Sequence, residues 1–144
     1  MIKWIVLMLV MSVMSLYAAP KETIVIPTSA ITEVHDGDTL KVNLPCDITT
    51  MCKGVLVRVA HIDTPEIHSQ DAHERELAQK AKDVAMDFVN KSKGNITMVC
   101  GRDKYFRLNC SIGSSQGDWA TTELNAHLAK PYEGGTKNTD WSKF

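Results

Sequence analysis

The chain has no excess of either charge. Sixteen Lys and Arg stand against 17 Asp and Glu, a net of −1. Bulk electrostatics therefore does not mark a nucleic-acid binder, and any polyanion site has to be a local patch. There is no internal repeat, which excludes solenoids and arrays. None of the four cysteines is spaced as C-x-x-C, the arrangement common in zinc sites. Long apolar runs are missing as well, with one exception at the start. MIKWIVLMLVMSVMSLYAA carries one early cation, Lys3, then an uncharged apolar stretch, then Ala18 and Ala19. That is the pattern of a secretory signal peptide, cleaved near Ala18 or Ala19. Trp4 to Ala19 falls short of the about 20 residues that span a bilayer. No cysteine follows the run, so a lipid-modified N-terminal cysteine is not expected. Residues 1–19 read as a leader. Residues 20–144 read as one domain, large enough for a core.

An exported chain with an even cysteine count points to disulfides and to a periplasmic or secreted location. Four cysteines allow three connectivities. Sequential pairing is expected: Cys46 and Cys52 bracket the loop DITTM, and Cys100 and Cys110 lie symmetrically about a turn near Tyr105.

What remains is patterned. PKETIVIPT (20–28) is a linker or a first edge strand, with Pro27 favouring the edge. Ala30 to Leu44 holds two strands interrupted by Asp36-Gly37-Asp38. Pro45 to Gly54 is a loop, Val55 to Ile62 a strand, and Asp63 to Glu66 a turn stiffened by Pro65. From Ala72 to Lys91 the apolar residues Leu77, Ala81, Val84, Ala85, Phe88 and Val89 recur at helical spacing. Ile96–Cys100 and Leu108–Ile112 read as a hairpin. Asp118 is placed to cap a second helix with Trp119, Leu124 and Leu128 on its apolar face. The tail from Pro131 reads as coil, with Trp141 tucked against the body. Three strands, a helix, two strands and a helix suit an α+β, mainly β chain. The order fits an OB-fold, a five-stranded Greek-key barrel with two or three helices. An α+β sandwich is the competing architecture.

VHDGDTLKV (34–42) is an odd strand, because carboxylates and glycine are poor strand formers. Alone, Asp36-Gly37-Asp38 reads as a turn. Downstream, Asp63 and Glu66 flank the rigid Thr64-Pro65 pair. Converging hard oxygens are what Ca²⁺ or Mg²⁺ takes. Arg58 interrupts the apolar run VLVRVAHI, and a buried arginine is costly unless paired. Arg107 follows Asp103-Lys104-Tyr105. A cation site beside two guanidinium groups suits phosphoryl chemistry: the metal polarises a phosphoryl oxygen, a carboxylate accepts a proton, and the arginines hold the developing charge.

In this order, DGDT (36–39), VRVAHIDTPE (57–66) and DKYFR (103–107) resemble the staphylococcal nuclease (thermonuclease) family. AQKAKDVAMDFV and ELNAHLAKPY are similar too, so the resemblance runs from about Thr28 to Tyr132. It implies an OB barrel and Ca²⁺-dependent hydrolysis of DNA and RNA to 3′-phosphorylated products. Carried over residue by residue, Asp38 and Asp63 would bind Ca²⁺ through carboxylates and Thr64 through its carbonyl. Asp36 would support them from behind. Glu66 would act on the attacking water as base or orienter. Arg58 and Arg107 would bind the scissile phosphate, and Lys104 and Tyr105 a terminal phosphate. The chain departs from the family in Phe106, where a glycine is usual, in its near-neutral charge, in its cysteines, and in having no C-terminal helix after Tyr132. Tyr132 is the candidate for stacking on a base. A monomer, free of the membrane once the leader is removed, is expected. The alternatives are a non-catalytic nucleic-acid-binding OB module and a disulfide-stapled binder of small ligands or proteins.

Overall fold

The computed structural model describes residues 20–144 apart from Phe106. The leader expected at residues 1–19 and the Phe106 substitution lie outside the described residues.

The chain is α+β and mainly β. Strand β1 (Glu22–Pro27) passes through a 3₁₀ turn (Thr28–Ala30) into β2 (Ile31–Val34), followed by β3 (Thr39–Val42). A one-turn helix α1 (Thr49–Cys52) precedes β4 (Val55–Val59) and the short β5 (Ile62–Asp63). The long helix α2 (Ala72–Lys91) leads to β6 (Asn95–Arg102), β7 (Leu108–Ser114) and β8 (Gly117–Asp118). Helix α3 (Trp119–Asn125), β9 (Lys130–Pro131) and a 3₁₀ turn (Trp141–Lys143) complete it.

The main sheet runs β1-β6-β7-β4-β3-β2, with β8 added on β7. Every pairing is antiparallel except β4 with β7. The two ends of this path, β1 and β2, are consecutive in sequence with only Thr28–Ala30 between them. A single chain segment thus contributes to both ends of the sheet, which curls into a half-barrel. Pro27 closes β1 at the sheet's end, where its missing N–H breaks no central ladder.

Alternation directs the core. Ile96, Met98 and Cys100 of β6 and Cys110 and Ile112 of β7 point inward, as the two-residue strand period requires. They meet Leu40, Val42, Val57 and Val59 from β3 and β4, capped by Ala85, Phe88 and Trp119. Helix α2 starts on Asp71, whose carboxylate accepts the His73 and Glu74 amides. It buries Leu77, Ala78, Ala81, Ala85 and Phe88. A smaller cluster of Leu77, Ala81, Leu128 and Trp141 ties the tail down, so Trp141 does tuck the tail against the body.

Four local expectations change. The strand expected over 55–62 breaks at His61, whose φ is 70°, and restarts as β5. The 45–54 loop contains α1. Helix α3 ends before Leu128, which is buried by the turn that follows. Within the tail, β9 pairs with β5, Ile62 opposite Pro131 and Asp63 opposite Lys130.

Both sequential disulfides are present, Cys46–Cys52 and Cys100–Cys110. Cys100 and Cys110 are direct register partners across β6 and β7. Such bonds persist in oxidising compartments. Among the described residues, no helix is long and apolar enough to cross a membrane.

Candidate active site

The site is assembled where the β2–β3 connection meets β4 and β5. Asp36 and Asp38 lie in that connection, not in a strand, and both are buried. The Asp36 carboxylate accepts the Asp38 amide at 3.1 Å, a local turn that aims Asp38. Gly37 is needed for space: a Cβ there would sit 2.8 Å from the Ala81 Cβ and 2.9 Å from the Thr64 methyl. Its carbonyl accepts the Trp119 indole N–H at 2.9 Å. The turn is therefore clamped between α2, α3 and residue 64, and any side chain at position 37 would force it open.

Asp38 is the hub. Its Oδ1 accepts the Thr39 hydroxyl at 3.0 Å and pairs with Arg58 Nη1 at 2.9 Å. Its Oδ2 accepts the Thr64 amide at 3.1 Å. The register Thr39 opposite Arg58 brings the pair together. Arg58 is 9% exposed, a burial that requires partners. Besides Asp38 it donates to the Ile62 carbonyl at 2.8 Å. It approaches Asp63 Oδ1 at 3.9 Å and lies 5.5 Å from the Tyr132 ring centroid.

Arg107 is oriented by Asp103, which receives its Nε and Nη2 on one oxygen, each at 2.8 Å. The other Asp103 oxygen accepts the Tyr105 and Arg107 amides. Burial would raise the Asp103 carboxyl, but these donors outweigh it and hold it below the usual range. The Lys104 ammonium and the Arg107 guanidinium lie 5.0 and 5.4 Å from the Tyr105 ring centroid.

One open cleft of about 540 Å³ collects Asp36, Asp38, Arg58, Glu66, Lys104, Tyr105 and Arg107, with Tyr132 and Lys137. Asp63 and Thr64 are not in its lining. They are buried behind it, against Arg58 and Asp38. Every sequence-expected site residue is thus in the cleft or touching a residue that is.

Four participants escaped the sequence reading. Lys137 places its ammonium 2.6 Å from Asp63 Oδ1 and 2.6 Å from Glu66 Oε1. Gly134 and Gly135, both at positive φ, bend the tail back to bring it there; that glycine pair was the available signal. Glu74 accepts the Glu66 amide and the Ser69 hydroxyl, so the start of α2 fixes the segment carrying Glu66. Asp103 holds Arg107. Glu123 is fully buried, and among the described residues neither of its oxygens has a hydrogen-bond partner.

The electrostatics follow from burial. Desolvation, then the charge of Asp38, pushes the Asp36 carboxyl up to about 6. Burial also raises Asp63, against the pull of Lys137. Glu123 is pushed up to about 9 by burial, then by Asp38 and Asp36, and is a neutral acid at pH 7. Burial would lower the Lys137 ammonium, but its two carboxylate partners and the field of Asp38 hold it above its ordinary value.

The donor chemistry fits a hard divalent cation. The carboxylates of Asp38, Asp63 and Glu66 are hard oxygen donors, and Asp63 Oδ1 is buried with the Lys137 ammonium 2.6 Å away. Among the described residues, however, no three His, Cys, Asp or Glu side chains are gathered around one point. The chain's own cations, Arg58 and Lys137, sit on the acids instead. No protein-family model matches the chain, and no curated protein matches it.

Proposed function

We propose that this protein is an exported nuclease of the staphylococcal nuclease kind, which uses Ca²⁺ to hydrolyse DNA and RNA to 3′-phosphorylated products. The observation that carries the reading is the convergence of two anchored arginines, a carboxylate and a Lys-Tyr pair on one open cleft, backed by buried acids. The topology supports an OB barrel. Taking Glu22–Val34 as one bent strand with β3, β4, β6 and β7 leaves five strands, with α2 between the third and fourth.

Asp38, Asp63 and the Thr64 carbonyl would hold Ca²⁺, which when bound polarises a phosphoryl oxygen and acidifies a water. The remaining work belongs to the chain. Arg58, fixed by Asp38 and the Ile62 carbonyl, and Arg107, fixed by Asp103, present guanidinium forks to the phosphate. Both are oriented before substrate arrives, so little reorganisation accompanies the growth of charge. Glu66 accepts the proton of the attacking water, or orients that water, as the water oxygen bonds to phosphorus and the P–O5′ bond breaks, the departing 5′ oxygen taking a proton from solvent to leave as the hydroxyl. Lys104 and Tyr105 bind a neighbouring phosphate. Tyr132, against Arg58, offers a ring face to a base.

The test is cleavage of single-stranded DNA by the oxidised protein and its variants. Arg58→Ala and Glu66→Ala are each expected to lose about 10²- to 10³-fold in kcat. Variants that cleave as fast as wild type would overturn the assignment. Strand binding without turnover by the wild type would favour the non-catalytic module.

A further inference from the structure

We propose that Lys137 is the built-in cation of this site and, while pairing with Glu66, competes directly with a divalent metal ion for Asp63. The inference rests on the Ca²⁺ reading above and adds a residue that the sequence motifs do not contain.

The chain leading to Lys137 is tied down at successive points. The Tyr132 amide donates to the His61 carbonyl at 2.9 Å. Glu133 meets His61 Nδ1 at 2.8 Å. The Tyr132 hydroxyl donates to the Gly135 carbonyl at 2.7 Å, closing the turn that Gly134 and Gly135 make at φ 100° and 95°. This strap delivers residue 137 to the acids. The Lys137 side chain itself is 39% exposed, and among the described residues it pairs with Asp63 and Glu66 alone.

An ammonium is a compact charge on a flexible stem. At 2.6 Å from Asp63 Oδ1 it occupies the space next to a buried carboxylate oxygen that would face the metal. A divalent ion taking that oxygen would meet the ammonium at contact distance, and two like charges cannot share the position. Metal uptake therefore displaces Lys137. The displacement needs only rotation of the lysine stem, because the strap is held on both sides of residue 137, at Tyr132 and Glu133 before it and at Trp141 after it. Without metal, the ammonium offsets the repulsion among Asp38, Asp63 and Glu66. Its presence sets the concentration of Ca²⁺ at which the site fills.

The experiment is calorimetric titration of the oxidised protein with Ca²⁺ alone, without nucleic acid, for wild type, Lys137→Ala and Lys137→Gln. Both variants are expected to bind Ca²⁺ at least about tenfold more tightly than wild type. Equal affinity in all three proteins overturns the role of Lys137 while leaving the Ca²⁺ reading intact. Absence of Ca²⁺ binding in all three overturns both. Near-UV spectra matching wild type establish that the variants are folded.

Discussion

Glu123 lies in α3 with 0% exposure and, among the described residues, no hydrogen-bond partner for either oxygen, beside groups that disfavour its charge. Burial leads, and the negative fields of Asp38 and Asp36 add to it. In the unfolded chain this carboxyl ionises near its ordinary value of 4.5, whereas the folded protein keeps the proton up to about 9. Between those values the folded state binds more protons, so stability is full below about pH 4.5 and falls as pH rises towards 9. Glu123→Gln keeps the shape and removes the ionisation. It is expected to melt much like wild type at pH 4.5 and to be more stable by several kcal/mol at pH 8.5. A wild-type-minus-variant difference that does not change with pH would contradict this. Asp38 shows the opposite use of burial: equally enclosed, it is kept by Arg58, Thr39 and the Thr64 amide, and it lends Arg58 its direction.

At the scale of elements, the two disulfides do different work. Cys100–Cys110 staples β6 to β7 inside the core, both residues being buried. Cys46–Cys52 closes the small loop that carries α1, and Cys46 is exposed. Access governs thiol–disulfide exchange, so mild reductant is expected to open Cys46–Cys52 first. Thiol labelling read by mass spectrometry checks the order; equal labelling of all four cysteines would contradict it. Removal of Cys100–Cys110 by paired Ala substitution is expected to cost about 2–4 kcal/mol, seen as a lower denaturation midpoint. The strap between β9 and the last 3₁₀ turn is a second such element. Trp141, 5% exposed against Leu77, Ala81 and Leu128, anchors its far end.

At the scale of the whole molecule, the parts legible in the sequence were those with local signals. Helix α2 was readable because Leu77, Ala81, Ala85 and Phe88 repeat at its period. The cysteine pairing was readable because Cys100 and Cys110 are symmetric about one turn. The gathering of Asp36, Asp38, Arg58, Glu66 and Arg107 was anticipated because three motifs appear in the same order as in the family they resemble. What stayed hidden depends on contacts distant in sequence. Lys137 reaches Asp63 and Glu66 across more than seventy positions, and Glu123 looked like any polar residue on a short helix. Gly37 reads in the sequence as a turn residue, but its role is set by Ala81 and Thr64, neighbours that no local pattern names. His61 broke a strand that β propensity extended through it.

The central claim is that this cleft hydrolyses phosphodiesters with Ca²⁺. The most direct measurement is incubation of the oxidised wild-type protein with end-labelled single-stranded DNA and RNA, in Ca²⁺ or in chelator, with the new ends analysed. The account predicts cleavage in Ca²⁺ alone, leaving 3′-phosphate and 5′-hydroxyl ends. Intact substrate in both conditions, or cleavage unaffected by chelator, would contradict it.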